Sequence, residues 1–274
     1  MNINLIPGVN ITPELTNKIL NKNDYLESDS RLRFSSAPWA KEMGSSSISI
    51  LGLGGIGSYV AYFISRLGPS VLYIQDFDTV EGVNMAGQMF SISDIGYTKT
   101  NAVSALVNKY SPGVEIVKIN KKVEEGFMPE SPIVITGFDN MEARKTSYAG
   151  WKKYISRAVK SAEEEGLTQA VNDIKKKALF IDGRLAAETL QMIVIRGDQE
   201  DLMKEYEDKY LFSSEEALDL VCSYKQTSHI AGMLGSLITS TVVNFITNNA
   251  SGFDFSPINF FTEFDAQTMN FKIL

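Results

Sequence analysis

Gly52, Gly54, Gly55 and Gly57 break an otherwise apolar run, and acids, amides and a lysine recur behind them at Asp76, Asp78, Asn84, Gln88, Lys99 and Asp139. The glycines stand between a short apolar strand at residues 48–51 and a helical apolar pattern at 59–68. A second strand, 71–75, ends on Asp76, about 20 residues beyond the turn. Strand, glycine turn, helix, strand and acid in that order make a nucleotide-binding unit. The glycines let the backbone approach the ligand, the helix N-terminus offers N–H groups to phosphate oxygens, and the acid takes ribose hydroxyls. The turn alone suits NAD, FAD, ATP or no ligand. A dehydrogenase, however, has no use for Asn84, Gln88, Lys99 and a second strand-end acid, Asp139, around its pyrophosphate loop. A site that cleaves ATP between its α- and β-phosphates does, because the developing charge must meet a cation and a metal-binding carboxylate.

The ordered segments Asp76-Phe77-Asp78-Thr79-Val80-Glu81-Gly82-Val83-Asn84, Gln88, Asp94-Ile95-Gly96-Tyr97-Thr98-Lys99 and Val134-Ile135-Thr136-Gly137-Phe138-Asp139-Asn140, followed by Arg144, carry a resemblance. They resemble the ThiF/MoeB/ubiquitin-activating-enzyme superfamily, adenylyltransferases that activate a carboxylate as an acyl-adenylate. The resemblance spans residues 30–150 well and 178–274 loosely. It implies that Gly52, Gly54, Gly55 and Gly57 hold the phosphates of ATP and that Asp76 holds the ribose. Asp78, Asn84 and Gln88 would organise the nucleotide site, Lys99 would reach the phosphates, and Asp139 would bind Mg²⁺. The implied acceptor is the C-terminus of a small ubiquitin-like or sulfur-carrier protein, or a peptide, and the implied assembly is a homodimer.

One position departs from the pattern. Many members carry an Arg immediately before the Gln that matches Gln88, and here that residue is Gly87. The phosphate-facing cation is then missing, or comes from Arg31, Arg33 or Arg144 instead. The superfamily often sends an Arg from the segment before the first strand into the partner's ATP site, which suits Arg31 or Arg33. Cys222 precedes a glycine-containing helix, as in members that pass the acyl group on as a thioester or persulfide. Lys225 and the helix N-terminus favour a thiolate there, and a small buried hydrophobe is the other reading of this cysteine. Activation of a peptide or modified tRNA without a covalent cysteine step is an alternative function, and so is a nucleotide-binding module that no longer catalyses.

Other residues carry two readings each. Lys99 opens a helix, where a cation is unfavourable unless a phosphate lies beside it; otherwise it is a surface lysine. Asp139 stands outside a strand's carboxyl end, where open sheets bind ligands, or it simply caps the next helix. Asp182, Arg184 and Glu188 line the acceptor side or form a structural ion pair. His229, the only histidine, suits a helix start better than a hydrolase triad, since no nucleophile elbow accompanies it.

Composition excludes several classes. A formal net charge of −7 argues against nonspecific nucleic-acid binding. One cysteine and one histidine cannot supply the usual tetrahedral zinc set, so no zinc is expected. A single cysteine suits a reducing cytoplasm, and the first residues show no secretory signal pattern. The uncharged stretch 230–246 is read as a buried helix rather than a membrane span, given its glycines, hydroxyls and Asn244.

The elements that must position these residues alternate. Helices are expected at 98–110 and over 141–177, and strands at 114–119, 132–136, 178–182 and 189–195. A closing hairpin joins 258–264 to 269–273. The pattern predicts an α/β fold: a Rossmann-like mixed, mostly parallel sheet with helices on both faces and a C-terminal antiparallel extension. One domain is expected over 1–274, with an N-terminal helical arm (1–45), a nucleotide-binding half (46–150) and an acceptor and dimer half (151–274).

Overall fold

The computed structural model describes residues 32–212 and 227–274. Arg31, Cys222 and most of the expected arm lie outside the described residues. The chain runs from a 3₁₀ turn at Leu32–Phe34 through α1 (Ala40–Ser45), β1 (Ser47–Leu51), α2 (Gly55–Leu67), β2 (Val71–Gln75) and α3 (Lys99–Tyr110). There follow β3 (Glu115–Ile119), β4 (Ile133–Thr136), α4 (Met141–Glu164), α5 (Thr168–Lys176), β5 (Leu179–Ala186) and β6 (Thr189–Arg196). It closes with α6 (Glu200–Lys209), α7 (Ser228–Ser251), β7 (Phe261–Asp265) and β8 (Asn270–Ile273).

The strands form one eight-stranded sheet in the order β3-β2-β1-β4-β5-β6-β7-β8. From β3 to β5 every pairing is parallel, and from β5 to β8 every pairing is antiparallel. This is the expected mixed sheet with an antiparallel extension. The chain lays β2 and β3 on one side of β1, then returns to place β4 and β5 on the other. That reversal opens a crevice at the carboxyl ends of β1 and β4, where open α/β sheets take their ligands.

Alternation along the strands divides two cores. Ile48, Ile50, Ile133, Ile135, Leu179 and Ile181 pack with α2 and α7 on one face. Val134 and Phe180 point the other way, into an aromatic layer of Tyr148, Trp151 and Tyr206 from α4 and α6. Burial on both faces explains why these short strands read as continuous apolar runs. Helix α7 is long and apolar enough to cross a membrane, yet half of its most apolar window is buried within the fold. Its Ile230, Leu234, Ile238, Val242 and Phe245 all belong to the core against α2.

Two regions differ from the sequence reading. Helix α6 was not expected, because its apolar residues are few; Tyr206 is its only fully buried one. The crossover from β2 to α3 contains 3₁₀ turns at Gly82–Ala86 and Ile92–Asp94, each closed by a capping box of polar side chains.

Candidate functional site

The glycine turn works by close approach. Gly52 sits at φ +81°, and its N–H donates to the Gln75 carbonyl (2.9 Å). At Gly57 a Cβ would lie 1.9 Å from the Gly52 carbonyl oxygen, so only glycine lets α2 start this near to the strand. No side chain caps the N-terminus of α2 at Gly54. A Cβ at Gly54 would meet only the Gln88 amide, at 3.8 Å, so the space beside it belongs to the cleft. Asp76 closes the far side. Its Oδ2 accepts the Leu53 N–H (2.7 Å) and its Oδ1 accepts the Asp78 N–H (2.8 Å). The carboxylate is thereby clamped, and each oxygen keeps a further lone pair for a ribose hydroxyl.

Gly52, Gly54, Asp76 and Asp78 line a cleft of about 400 Å³ together with Gly55, Gln88, Lys99, Phe138, Asp139 and Arg144, whereas Gly57, expected to hold phosphate, packs on the Gly52 carbonyl and does not line it. Lys99 is buried at the first turn of α3, and its Nζ lies 2.9 Å from Asp78 Oδ2. The anion required beside a cation at a helix start is therefore supplied by the protein, and the surface-lysine reading fails. Gln88 Oε1 is buried without a hydrogen-bond partner among the described residues, an unmet acceptor on the cleft wall. Asn84 does not line the cleft; its Oδ1 accepts the Glu81 N–H (2.8 Å) and shapes the crossover turn.

Asp139 is exposed on the cleft rim, and it is Asn140 that caps α4 by accepting the Ala143 N–H (2.8 Å). The helix-cap alternative for Asp139 is thus set aside, because its neighbour takes that role, and its carboxylate is left with a contact from the Asn140 amide at 3.3 Å. Among the described residues no group of three or more metal-ligating side chains exists. Mg²⁺ on a nucleotide needs fewer, since one or two carboxylates and the phosphates suffice, and Asp139 fits that part. The open space at Gly54 and the clamped Asp76 fit ATP.

Arg144, one candidate for the missing cation, is already engaged. Its Nη1 lies 3.0 Å from Asp182 Oδ1, and its Nη2 donates to the Phe138 carbonyl. Asp182 is fully buried and also accepts from Arg184 Nε (2.8 Å) and the Tyr206 hydroxyl (2.9 Å). Burial, then the Asp182 charge, push the Tyr206 hydroxyl well above its ordinary pKa, so it stays a donor. Asp182 and Arg184 thus form an ion-pair network, while Glu188 lies apart in the β5–β6 turn. Arg33 is exposed and does not line the cleft, and His229 lies in the first turn of α7.

Lys121 and Lys122 were not singled out from the sequence, yet both line the cleft, with Lys122 Nζ 5.9 Å from the Phe77 ring centre. Their signal was positional: two lysines directly after a parallel strand, on the ligand side of the sheet.

Comparison with known proteins addresses the family and the fold. The chain is 30% identical over 116 residues to ubiquitin-like modifier-activating enzyme 5 of Arabidopsis thaliana, covering 42% of this chain and 27% of that protein. It is 29% identical over 109 residues to the NEDD8-activating enzyme E1 catalytic subunit of Schizosaccharomyces pombe, covering 38% of this chain and 24% of that one. The matches thus span less than a third of these relatives' length. E. coli MccB solved with ATP superposes with a TM-score of 0.64 at 15% identity, over 97% of this chain and 79% of that one. PaaA superposes with a TM-score of 0.62 at 14% identity, over 100% of this chain and 86% of that one. Such structural likeness shows a shared fold. A model of the ThiF family matches residues 28–274, nearly the whole sequence, and the chain belongs to the ThiF family.

Proposed function

We propose that this chain is an ATP- and Mg²⁺-dependent adenylyltransferase that activates a carboxylate. The observation that carries the reading is one cleft furnished for both ends of a nucleotide. Asp76 is clamped beside the glycine turn, and Lys99, Gln88 and Asp139 line the same cleft, which supports a ribose at the first and phosphates near the others. An acceptor carboxylate oxygen attacks the α-phosphorus, the bond to the bridging oxygen breaks, and pyrophosphate leaves with the acyl-adenylate remaining. Mg²⁺ held at Asp139 would neutralise phosphate charge. The Lys99 ammonium then turns from Asp78 toward the phosphates, and the N–H groups of α2 meet the phosphate oxygens. Catalysis here is positioning and charge stabilisation.

The acceptor proposed is the C-terminus of a small ubiquitin-like or sulfur-carrier protein, or a peptide. The names of the relatives support the first, and E. coli MccB has also been solved with MccA. Cys222 as a thioester acceptor, and a cytoplasmic homodimer in which Arg31 or Arg33 serves the partner's phosphates, complete the proposal.

Pyrophosphate exchange into ATP tests it, run with ubiquitin-like proteins and with peptides as acceptors. The wild-type chain is expected to exchange with one acceptor class, and Asp139→Ala with none. ATP binding without exchange for any acceptor would reduce the reading to nucleotide binding.

A further inference from the structure

Asp182 is a buried carboxylate that holds two arginines and a tyrosine hydroxyl. It lies on the aromatic face of β5 beside Phe180 and Tyr206, with 0% of its surface exposed. Burying a carboxylate there costs several kcal/mol before pairing, and an apolar residue of similar size would often serve stability as well. Its two oxygens face different tasks. Oδ2 takes Arg184 and Tyr206 and ties β5 to α6, with Arg184 also donating to the Tyr210 carbonyl (2.8 Å). Oδ1 takes Arg144, whose other guanidinium nitrogen holds the Phe138 carbonyl. Phe138 directly precedes Asp139 on the cleft rim, and among the described residues the Asn140 amide is what lies against Asp139.

We propose that Asp182 is a positioning residue for the metal end of the nucleotide site. Acting through Arg144, it fixes the Phe138 carbonyl and thereby keeps the Asp139 carboxylate aimed into the cleft. The proposal rests on the reading of the cleft as a Mg²⁺–ATP site. Pairing sets the connection: Thr136, which ends β4, lies opposite Asp182 in β5, so the acid stands one strand away from the loop it controls. Arginine is required between them, because its planar fork can hold a carboxylate and a carbonyl at once, whereas lysine presents a single point charge.

The two oxygens make the idea separable from a purely structural role. A non-hydrolysable ATP analogue is titrated calorimetrically into the full chain with and without Mg²⁺, for wild type, Asp139→Ala, Asp182→Asn, Arg144→Lys and Tyr206→Phe, with a melting temperature for each. The Mg²⁺-induced gain in affinity is expected to fall about tenfold in Asp182→Asn and Arg144→Lys, towards the Asp139→Ala value. Asp182 does not line the cleft, so Asp182→Asn is expected to keep its metal-free affinity. Tyr206→Phe is expected to melt earlier and keep the full Mg²⁺ effect. Arg144→Lys preserves the buried charge pair, so it carries the test if Asp182→Asn does not fold. A Mg²⁺ effect lost in Asp139→Ala but intact in Asp182→Asn and Arg144→Lys would overturn this proposal alone. Absence of any Mg²⁺ effect in wild type would overturn it together with the reading beneath it.

Discussion

Replacing Lys99 by Met isolates the role of one charge. The Met side chain keeps the buried apolar stem, so α3 retains its packing while the ammonium disappears. Lys99 is 8% exposed, but its partner Asp78 is 46% exposed and is resolvated when the pair is broken. An ion pair with one arm in water contributes roughly 0.2–1 kcal/mol. Removing a cation from a helix N-terminus returns about 0.3–1 kcal/mol. The two nearly cancel, and the change in folding stability is expected to stay below about 1 kcal/mol. The nucleotide experiences something different. A hydrogen bond from an ammonium to a charged phosphate contributes about 1.5–3 kcal/mol. At 1.4 kcal/mol per decade, ATP affinity is expected to fall about 10- to 100-fold. Adenosine, which lacks phosphates, should bind the variant as it binds the wild type. Titration calorimetry with both ligands, alongside urea unfolding, measures all three quantities. If adenosine and ATP weaken by the same factor, Lys99 orders the crossover rather than facing phosphate. If neither weakens, the phosphates do not lie at this end of the cleft.

Gly54→Phe directs a ring into open cleft space beside Gln88, so ATP binding should be lost while the melting temperature stays near that of the wild type; normal calorimetric binding would place the nucleotide elsewhere. Mixing an Arg31→Ala/Arg33→Ala chain with an Asp139→Ala chain should restore partial pyrophosphate exchange, since a mixed dimer contains one composite site with both features intact. No recovery from a verified mixed dimer, or full activity as a monomer, would remove the donated arginine. Tyr206 gives a pH dependence. Its folded-state pKa is raised, by burial first and by Asp182 second, so its stabilising contribution is complete below the unfolded value of about 10 and declines as pH rises beyond it. Unfolding midpoints measured between about pH 9 and 11 should fall more steeply for wild type than for Tyr206→Phe; parallel curves would show that Tyr206 ionises as readily in the folded chain.

What the sequence by itself determined is the part of the site built from local chain. The glycine turn, Asp76 at the end of the next strand and the helix after Thr98 lie within single strand-turn-helix units, whose geometry follows from residue type and spacing. The two-faced apolar strands likewise announced a covered parallel sheet, and short connections announced the antiparallel end. Tertiary structure decided which charges are available. In the sequence Asp139 reads as a helix-cap alternative, and only the backbone path gives the cap to Asn140 and leaves Asp139 on the rim. Arg144 reads as a candidate phosphate cation, but the pairing of β4 with β5 brings Asp182, 38 residues away, against it and consumes its charge. Lys121 and Lys122 enter the cleft because β3 lies two strands from β1, a neighbourhood set by strand order. Residue type and spacing reveal the groups a site can draw on; burial and register, which depend on contacts across the whole sheet, settle which of them face the ligand.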